Sequence, residues 1–277
     1  MKSKTVPSQV SGPLRVAAKS GFLTKQIWND FFGTGNRHWR FRRWKSLMGT
    51  GYFTPVPDYG FVESAVALSG NGKALADLLG MNPVYSPPSK NLWHDEELIR
   101  FALFLERQGW VSNWQTEQEL KVSGQGQRLF QNQVRAVKIP DLIIEWNTSP
   151  KTILWAIELE RTRKEHARYY EMVGAYKGIS RIESVLVIVA ADSIETNIKK
   201  AQAKLGYPQA QRPMFFASMN QLIEDPLSCE LRQGANRMAL GKFAKAMTGQ
   251  SALEPTLLGK TAGNKPGNSV SYLREAV

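Results

Sequence analysis

The sequence predicts an α/β protein in two parts, a basic and mainly helical N-terminal module with a short β-hairpin, then a larger domain built on a mixed sheet flanked by helices. Three observations predict it. Short apolar runs at 142–144, 153–157 and 184–190 have strand length and alternate with segments whose apolar residues recur at helical spacing. Residues before about 80 hold helical segments punctuated by Gly and capping residues, followed by two β-type runs around a Pro- and Gly-rich tip. Charge is also unevenly spread: residues 1–90 carry twelve Lys or Arg against four Asp or Glu, residues 91–225 seventeen of each, and residues 226–277 seven against three.

The 277 residues, 42% hydrophobic, suffice to bury the cores of two domains. No apolar run approaches the length of a membrane span and Met1 to Pro13 contains no apolar signal core, so no membrane insertion and a cytoplasmic location are expected. A single cysteine, Cys229, excludes an internal disulfide and a Cys-rich zinc site, and three scattered histidines argue against a His cage. Cys229 is expected to pack. The net charge of +12, concentrated at the two ends, points to a DNA-binding module joined to a domain of balanced charge.

In chain order, residues 1–13 read as a flexible arm and Leu14 to Ser20 as a short helix. Thr24 is placed to cap a helix through Ile27, Trp28, Phe31 and Phe32, and Asn36 to cap another carrying Arg37, Trp39, Arg40, Arg42, Arg43 and Lys45. Gly33-Thr34-Gly35 separates them, which is helix-turn-helix spacing. Runs at 49–53 and 61–68 around Pro55, Pro57, Asp58 and Gly60 predict a β-wing, and Ser69 opens a helix through Leu78. Residues 14–81 are thereby expected to form a winged-helix domain, with Arg37, Arg40, Arg42, Arg43 and Lys45 on double-stranded DNA, a solvated basic face being the alternative. Trp39 and Trp44 are expected in the core, with base stacking as their other role.

Pro83, Pro87 and Pro88 mark residues 82–91 as a linker. His94-Asp95-Glu96-Glu97 then opens a helix with Leu98, Phe101, Ala102 and Leu105 on one face, and the acids suit its N-terminal dipole. A strand is expected near Trp110, and 111–137 is otherwise unassigned. Gly124-Gln125-Gly126-Gln127 lacks the Lys-Ser/Thr ending of a phosphate-binding loop. Beyond Lys164 come a helix with Tyr169, Met172, Val173 and Tyr176, a buried strand from Ser184, a helix from Ile194 to Leu205 and a last strand at Met214 to Ala217. Residues 92–227 thus make the second domain. Residues 228–277 read as a basic, partly disordered tail with a short helix over 236–247.

The most informative stretch runs from Pro140 to Tyr170. Leu142-Ile143-Ile144 and Ile153 to Ile157, joined by the polar turn 147–151, predict a β-hairpin. Pairing brings Asp141 beside Glu158, and strand alternation turns Glu158 and Glu160 to one face with Leu159 on the other. Three clustered carboxylates repel one another unless a cation neutralises them, and hard oxygen donors suit Mg²⁺ or Mn²⁺. Lys164 offers a positive charge nearby. The competing reading is a solvated strand end with ion pairs to Arg161, Arg163 and Lys164.

Asp141 followed by Glu158-Leu159-Glu160 resembles the PD-(D/E)xK superfamily of restriction-endonuclease-like nucleases, with glutamate where lysine is more usual and Lys164 as the substitute. The string Glu158-Leu159-Glu160-Arg161-Thr162-Arg163-Lys164, with Arg168-Tyr169, looks like the replication-relaxation proteins and MOBC-class conjugative relaxases, over roughly residues 14–190. The resemblance implies a restriction-endonuclease-like core behind a winged helix, with Asp141, Glu158 and Glu97 as metal ligands. Glu160, Lys164 and His94 complete the catalytic set it implies, His94 acting as a general base or orienting a carboxylate. It implies site-specific nicking of DNA at a transfer origin with an inverted repeat, with accessory relaxosome or coupling proteins as partners. Tyr169 is expected to pack or orient rather than to attack DNA. A transposase or restriction-type double-strand nuclease, and a non-catalytic DNA-binding replication-control protein on the same fold, are the alternatives.

Overall fold

The computed structural model describes residues 8–56, 65–85, 92–125, 138–148 and 150–250. The N-terminal unit comprises α1 (Ser8–Ser20), β1 (Leu23–Thr24), α2 (Lys25–Phe31), α3 (Arg37–Met48), β2 (Phe53–Pro55), β3 (Ala65–Leu68) and α4 (Gly70–Leu78). Its strands form a three-stranded antiparallel sheet in the order β1-β3-β2. The helix starts follow the capping residues: Thr24, Asn36 and Ser69 each accept a hydrogen bond from a backbone N–H three residues on. The expected wing tip, 57–64, lies outside the described residues, as do 1–7 of the arm, 86–91 of the linker, Gly126-Gln127 and the tail from 251.

The larger unit begins with α5 (Leu92–Arg107), β4 (Val111–Thr116), α6 (Glu117–Val122), β5 (Leu142–Trp146) and β6 (Ile153–Glu160). It continues through α7 (His166–Lys177), β7 (Ser184–Val189), α8 (Asp192–Leu205), β8 (Met214–Ser218) and α9 (Met219–Glu224). β9 (Glu230–Gln233), β10 (Asn236–Ala239) and α10 (Leu240–Thr248) follow. Together these make a mixed α/β architecture around a seven-stranded sheet in the order β10-β9-β8-β7-β6-β5-β4. Strands β6, β7 and β8 run parallel, and both flanks of the sheet are antiparallel. No helix among the described residues is long and apolar enough to cross a membrane.

Strand parity divides the core between the two sheet faces. Trp155, Ile157 and Leu159 of β6 join Leu142, Ile144 and Trp146 of β5 on the face covered by α5 and the N-terminal unit. Ala156, Val185, Val187 and Phe216 join Tyr169, Val173 and Ile198 on the face covered by α7 and α8. On the first face Trp155 stacks on Phe215 at 5.0 Å, and Phe243 of α10 closes over both and over Trp146. Large flat groups fill this end of the core and hold the C-terminal helix on it.

Three stretches depart from the sequence reading. Helix α1 begins at Ser8 and runs through Pro13, so residues 8–13 are helical rather than part of the arm. Tertiary packing decides this: Val10 is buried, and Gly12 lies so close to Phe32 that a β-carbon there would sit 2.6 Å from the ring. Beyond residue 227 the chain keeps strand character in β9 and β10, which turn at Gly234, φ 59°, and α10 starts only at Leu240. Only Leu231 of β9 is buried, so this edge hairpin has almost no period-2 signal to read. Pro83-Val84, at the start of the expected linker, packs on α1 through a Val84 N–H bond to the Ala18 carbonyl of 2.8 Å.

The N-terminal unit is fastened to α5 and β4 by polar groups. Thr24 Oγ1, besides capping α2, donates to buried Glu96 at 2.6 Å, and Arg15 grips Glu106 through two bonds of 2.5 and 2.6 Å. Arg100 reaches Asp30 at 3.0 Å, and Thr116 Oγ1 donates to the Lys19 carbonyl at 2.6 Å. Burial raises the Glu96 pKa while the Thr24 hydroxyl opposes the rise. Replacing Thr24 by Ala removes the cap and strands a buried carboxylate, so Thr24→Ala is expected to cost about 2 kcal/mol in urea denaturation, and Thr24→Ser well under half of that. Equal losses for the two variants would contradict the double role.

Candidate functional site

Strand register sets the first contact. Leu142 pairs with Ile157, so the next pair outward at the strand end is Asp141 beside Glu158. Asp141 Oδ2 accepts the Leu159 N–H at 2.9 Å, which clips the carboxylate to the edge of β6. Glu158 points to the α7 side, where its side chain is wholly buried. Tyr176 of α7 donates its hydroxyl to Glu158 Oε1. A tyrosine in an apolar helical stripe needs a partner for its hydroxyl, and a glutamate at this place on the strand supplies one.

Two cations complete the arrangement. Lys138 lies between the carboxylates, with Nζ 2.7 Å from Glu158 Oε2 and 3.7 Å from Asp141 Oδ1. His94, in the first turn of α5, reaches across with Nε2 3.2 Å from Asp141 Oδ2 and 3.0 Å from the Leu159 carbonyl, while Nδ1 is 3.1 Å from Asp95. Burial would lower the His94 pKa, but the hydrogen bonds to Asp141 and Asp95 overcome it and raise it to about 10. Both ring nitrogens are therefore donors near neutral pH, and the contacts of His94 are those of a cation that orients Asp141.

The carboxylates differ sharply in proton affinity. Burial pushes Asp141 up, yet the His94 hydrogen bond and the Lys138 charge bring it down to about 2. Burial and the neighbouring Asp141 charge raise Glu158 to about 7 against the pull of Lys138 and Tyr176. Lys138 itself is raised, with Glu158 and Asp141 outweighing its own burial. One acid is thus ionised at neutral pH while its neighbour exchanges a proton near neutrality, a pairing suited to proton transfer.

The remaining predicted residues lie around this pair but not within it. Glu160 is buried on the same face of β6 as Glu158 and is held by Lys164, whose Nζ is 2.9 Å from both of its oxygens. Lys164 serves Glu160 rather than the Asp141–Glu158 pair, and its backbone N–H donates to the Tyr169 hydroxyl at 2.9 Å. Tyr169 is buried, and its hydroxyl accepts this bond from the loop after β6. Glu97 is drawn away to Arg100, at 3.2 Å, beside Asp30. It lines a cavity of about 360 Å³ with Phe31, Phe101, Leu159 and Ile188. The expected convergence of all three carboxylates reduces to two, because Glu160 is one strand repeat, roughly 6.6 Å, farther along β6.

Sequence reasoning missed Lys138 and Tyr176. The signal for Lys138 was its position three residues before Asp141 across Pro140, whose fixed geometry favours an extended approach. Its place in the apolar stripe of α7 marks Tyr176 as a packing residue, with no local signal that ties its hydroxyl to Glu158. Among the described residues no three His, Cys, Asp or Glu side chains are grouped to hold a metal ion. The donor chemistry of Asp141 and Glu158 suits a hard cation, and the Lys138 ammonium fills the cation position between them.

Outside the pair the surface is basic. Arg161, Arg163, Lys164, His166 and Arg168 are all exposed on the segment that leaves β6. In the N-terminal unit Arg37, Arg42, Arg43 and Lys45 are exposed and Arg40 half-buried. Trp44 is in the core, 5.7 Å from Trp28, but Trp39 is 54% exposed, which corrects its expected core placement. Helical geometry turns Trp44 and Leu47 inward and leaves Trp39 off that stripe.

The His94 pKa, raised above its ordinary value of 6.5, implies stability that is full below about pH 6.5 and lost as pH rises through about 10. His94→Ala in chelator-treated protein is expected to cost about 2 kcal/mol at pH 6.5, less than the loss of a fully buried pair because both partners are part-exposed, and progressively less as pH approaches 10. Urea denaturation across this range checks it, and a pH-independent difference would contradict the charged pairing.

No protein-family model, no curated protein and no solved structure matches the chain.

Proposed function

We propose that this chain is a DNA endonuclease of the PD-(D/E)xK kind, a relaxase that nicks a transfer origin to start mobilisation of a plasmid or integrative element. One observation carries the reading: Asp141 and Glu158 are brought together at the end of β5 and β6 by strand register, Glu158 buried and Asp141 largely so, and split in proton affinity. A buried acid pair of this kind is costly to keep for stability alone. The basic segment from Arg161 to Arg168 beside it supports a polyanionic substrate. The capped pair α2 and α3, with β2 and β3, supports a winged-helix reading of the N-terminal unit and a DNA-contacting surface on Arg37, Arg40, Arg42, Arg43 and Lys45.

In this reading the protein's own groups divide the work. Asp141 stays ionised and fixed by His94 and the Leu159 N–H, so it keeps one orientation toward the scissile phosphate. Glu158 takes or returns a proton near neutral pH, and Lys138 offsets its charge when ionised. Glu160 and Lys164 hold the loop after β6, and Arg161 and Arg163 neutralise the phosphates that flank the cut. Asp141 and Glu158 would hold a divalent Mg²⁺ or Mn²⁺ ion only with the Lys138 ammonium displaced from between them, and the ion would then polarise a water and offset transition-state charge. Glu97 would join them only after release from Arg100.

Lys138 also favours a second reading. An acid pair already neutralised by a lysine ammonium, with no three-residue metal group around it among the described residues, suits a DNA-binding replication-control protein that uses the nuclease-like core as a scaffold. Supercoiled plasmid carrying a cognate transfer origin separates the two. The nuclease reading expects nicked circles that need Mg²⁺ or Mn²⁺ and fall at least about 100-fold in Asp141→Asn and Glu158→Gln. Linear product would move the assignment to a transposase or restriction-type cutter, and binding without cleavage under either metal would favour the scaffold.

A further inference from the structure

Helix α3 combines two features that a duplex-reading helix has little use for. From Phe31 to Val56 the chain contains no Asp or Glu, while α3 alone carries Arg37, Arg40, Arg42, Arg43 and Lys45. Within that basic helix two large aromatic rings face solvent: Trp39 is 54% and Phe41 44% exposed. Trp44 and Leu47 mark the inward stripe. At about 3.6 residues per turn, Arg42 lies nearly opposite that stripe, and Trp39 and Phe41 flank Arg42 on its two sides.

The rings already stand among cations. The Arg42 guanidinium is 5.9 Å from the Trp39 ring, Lys45 Nζ is 4.8 Å from Phe41, and Lys25 of α2 approaches the same ring to 5.6 Å. The helix bearing them is held firmly: Asn36 caps it, Trp28 packs edge-on against Trp44, and Arg43 donates to Thr34 in the preceding turn. A single exposed aromatic is ordinary on a protein surface. Two of them interleaved with unbalanced cations supply what single-stranded nucleic acid requires, flat faces for bases and charge for phosphates.

Base pairs in a duplex offer their edges to a protein, and neither Phe nor the donor-only indole reads those edges well. Ring faces need base faces, and stacked base pairs expose none. We propose that α3 is a stacking platform for unpaired nucleotides of DNA, with Trp39 and Phe41 taking bases and Arg42 and Lys45 taking the phosphates between them. The proposal rests on the reading that the N-terminal unit contacts DNA, and it is independent of cleavage.

Fluorescence anisotropy with the full chain, in chelator, tests it on a labelled mixed-sequence single strand and on its own duplex. The single strand is expected to bind at least about 10-fold more tightly near physiological salt. Trp39→Ala and Phe41→Ala should each weaken single-strand binding by about 5- to 100-fold, leave duplex binding within about twofold and leave the salt slope unchanged. Arg42→Ala should instead lower that slope by about 0.7. Equal loss on both DNAs, competition by polyglutamate as strong as by DNA, or a change of oligomeric state in the aromatic variants would each overturn the platform. Single-strand preference without plasmid nicking would overturn only the nuclease reading, and nicking without that preference only the platform.

Discussion

Glu158 has no contact with solvent, and that placement constrains everything around it. A buried carboxylate must be paired or neutral, and this one is partly both. Its companions come from three separate parts of the chain: Lys138 and Asp141 from the segment that leads into β5, Tyr176 from α7, and His94 from α5 acting through Asp141. Each contact needs its element in register. A shift of β5 against β6 by one residue would put Asp141 out of line with Glu158 and turn an ionisable side chain into an apolar layer. The acid pair therefore specifies the pairing of the central strands as well as the chemistry at their ends.

The apolar core supplies most of the stabilisation, and the polar contacts choose among arrangements. Trp146, Trp155, Phe215 and Phe243 bury large areas on one face of the sheet. The joint between the N-terminal unit and α5 is different in kind. Thr24–Glu96, Arg15–Glu106 and Arg100–Asp30 are directional contacts across a shared apolar layer. Ion pairs of this type add little net stability against apolar replacements, but they fix one orientation. The helix that carries His94 also carries Glu96, Arg100 and Glu106, so α5 joins α1 and α2 of the N-terminal unit to the acid pair.

Much of this was legible where a local rule and the tertiary fold agreed. Thr24, Asn36 and Ser69 cap as their residue type dictates, and the hairpin of β5 and β6 follows from two apolar runs and a polar turn. The parity that sets Glu158 opposite Leu159 follows from the strand alone. What escaped the sequence depends on distant neighbours. Residues 8–13 are helical because Val10 is buried and Gly12 lies against Phe32 at the end of α2. The β9–β10 hairpin buries too few side chains to leave a pattern, and Trp39 resembles a core residue until the helix is seen to face outward. Lys138 and Tyr176 were ordinary residues until the fold set them on Glu158.

The central claim is that Glu158 is buried beside an ionised Asp141 and exchanges its proton near neutral pH. Carbon-13 NMR of glutamate side-chain carboxyls in chelator-treated protein measures this directly, with Glu158→Gln assigning the resonance. The account predicts one glutamate titrating near pH 7, absent from that variant and shifted downward in Asp141→Asn because a repelling charge is gone. A Glu158 resonance titrating below about pH 5, in the ordinary carboxylate range, would contradict it.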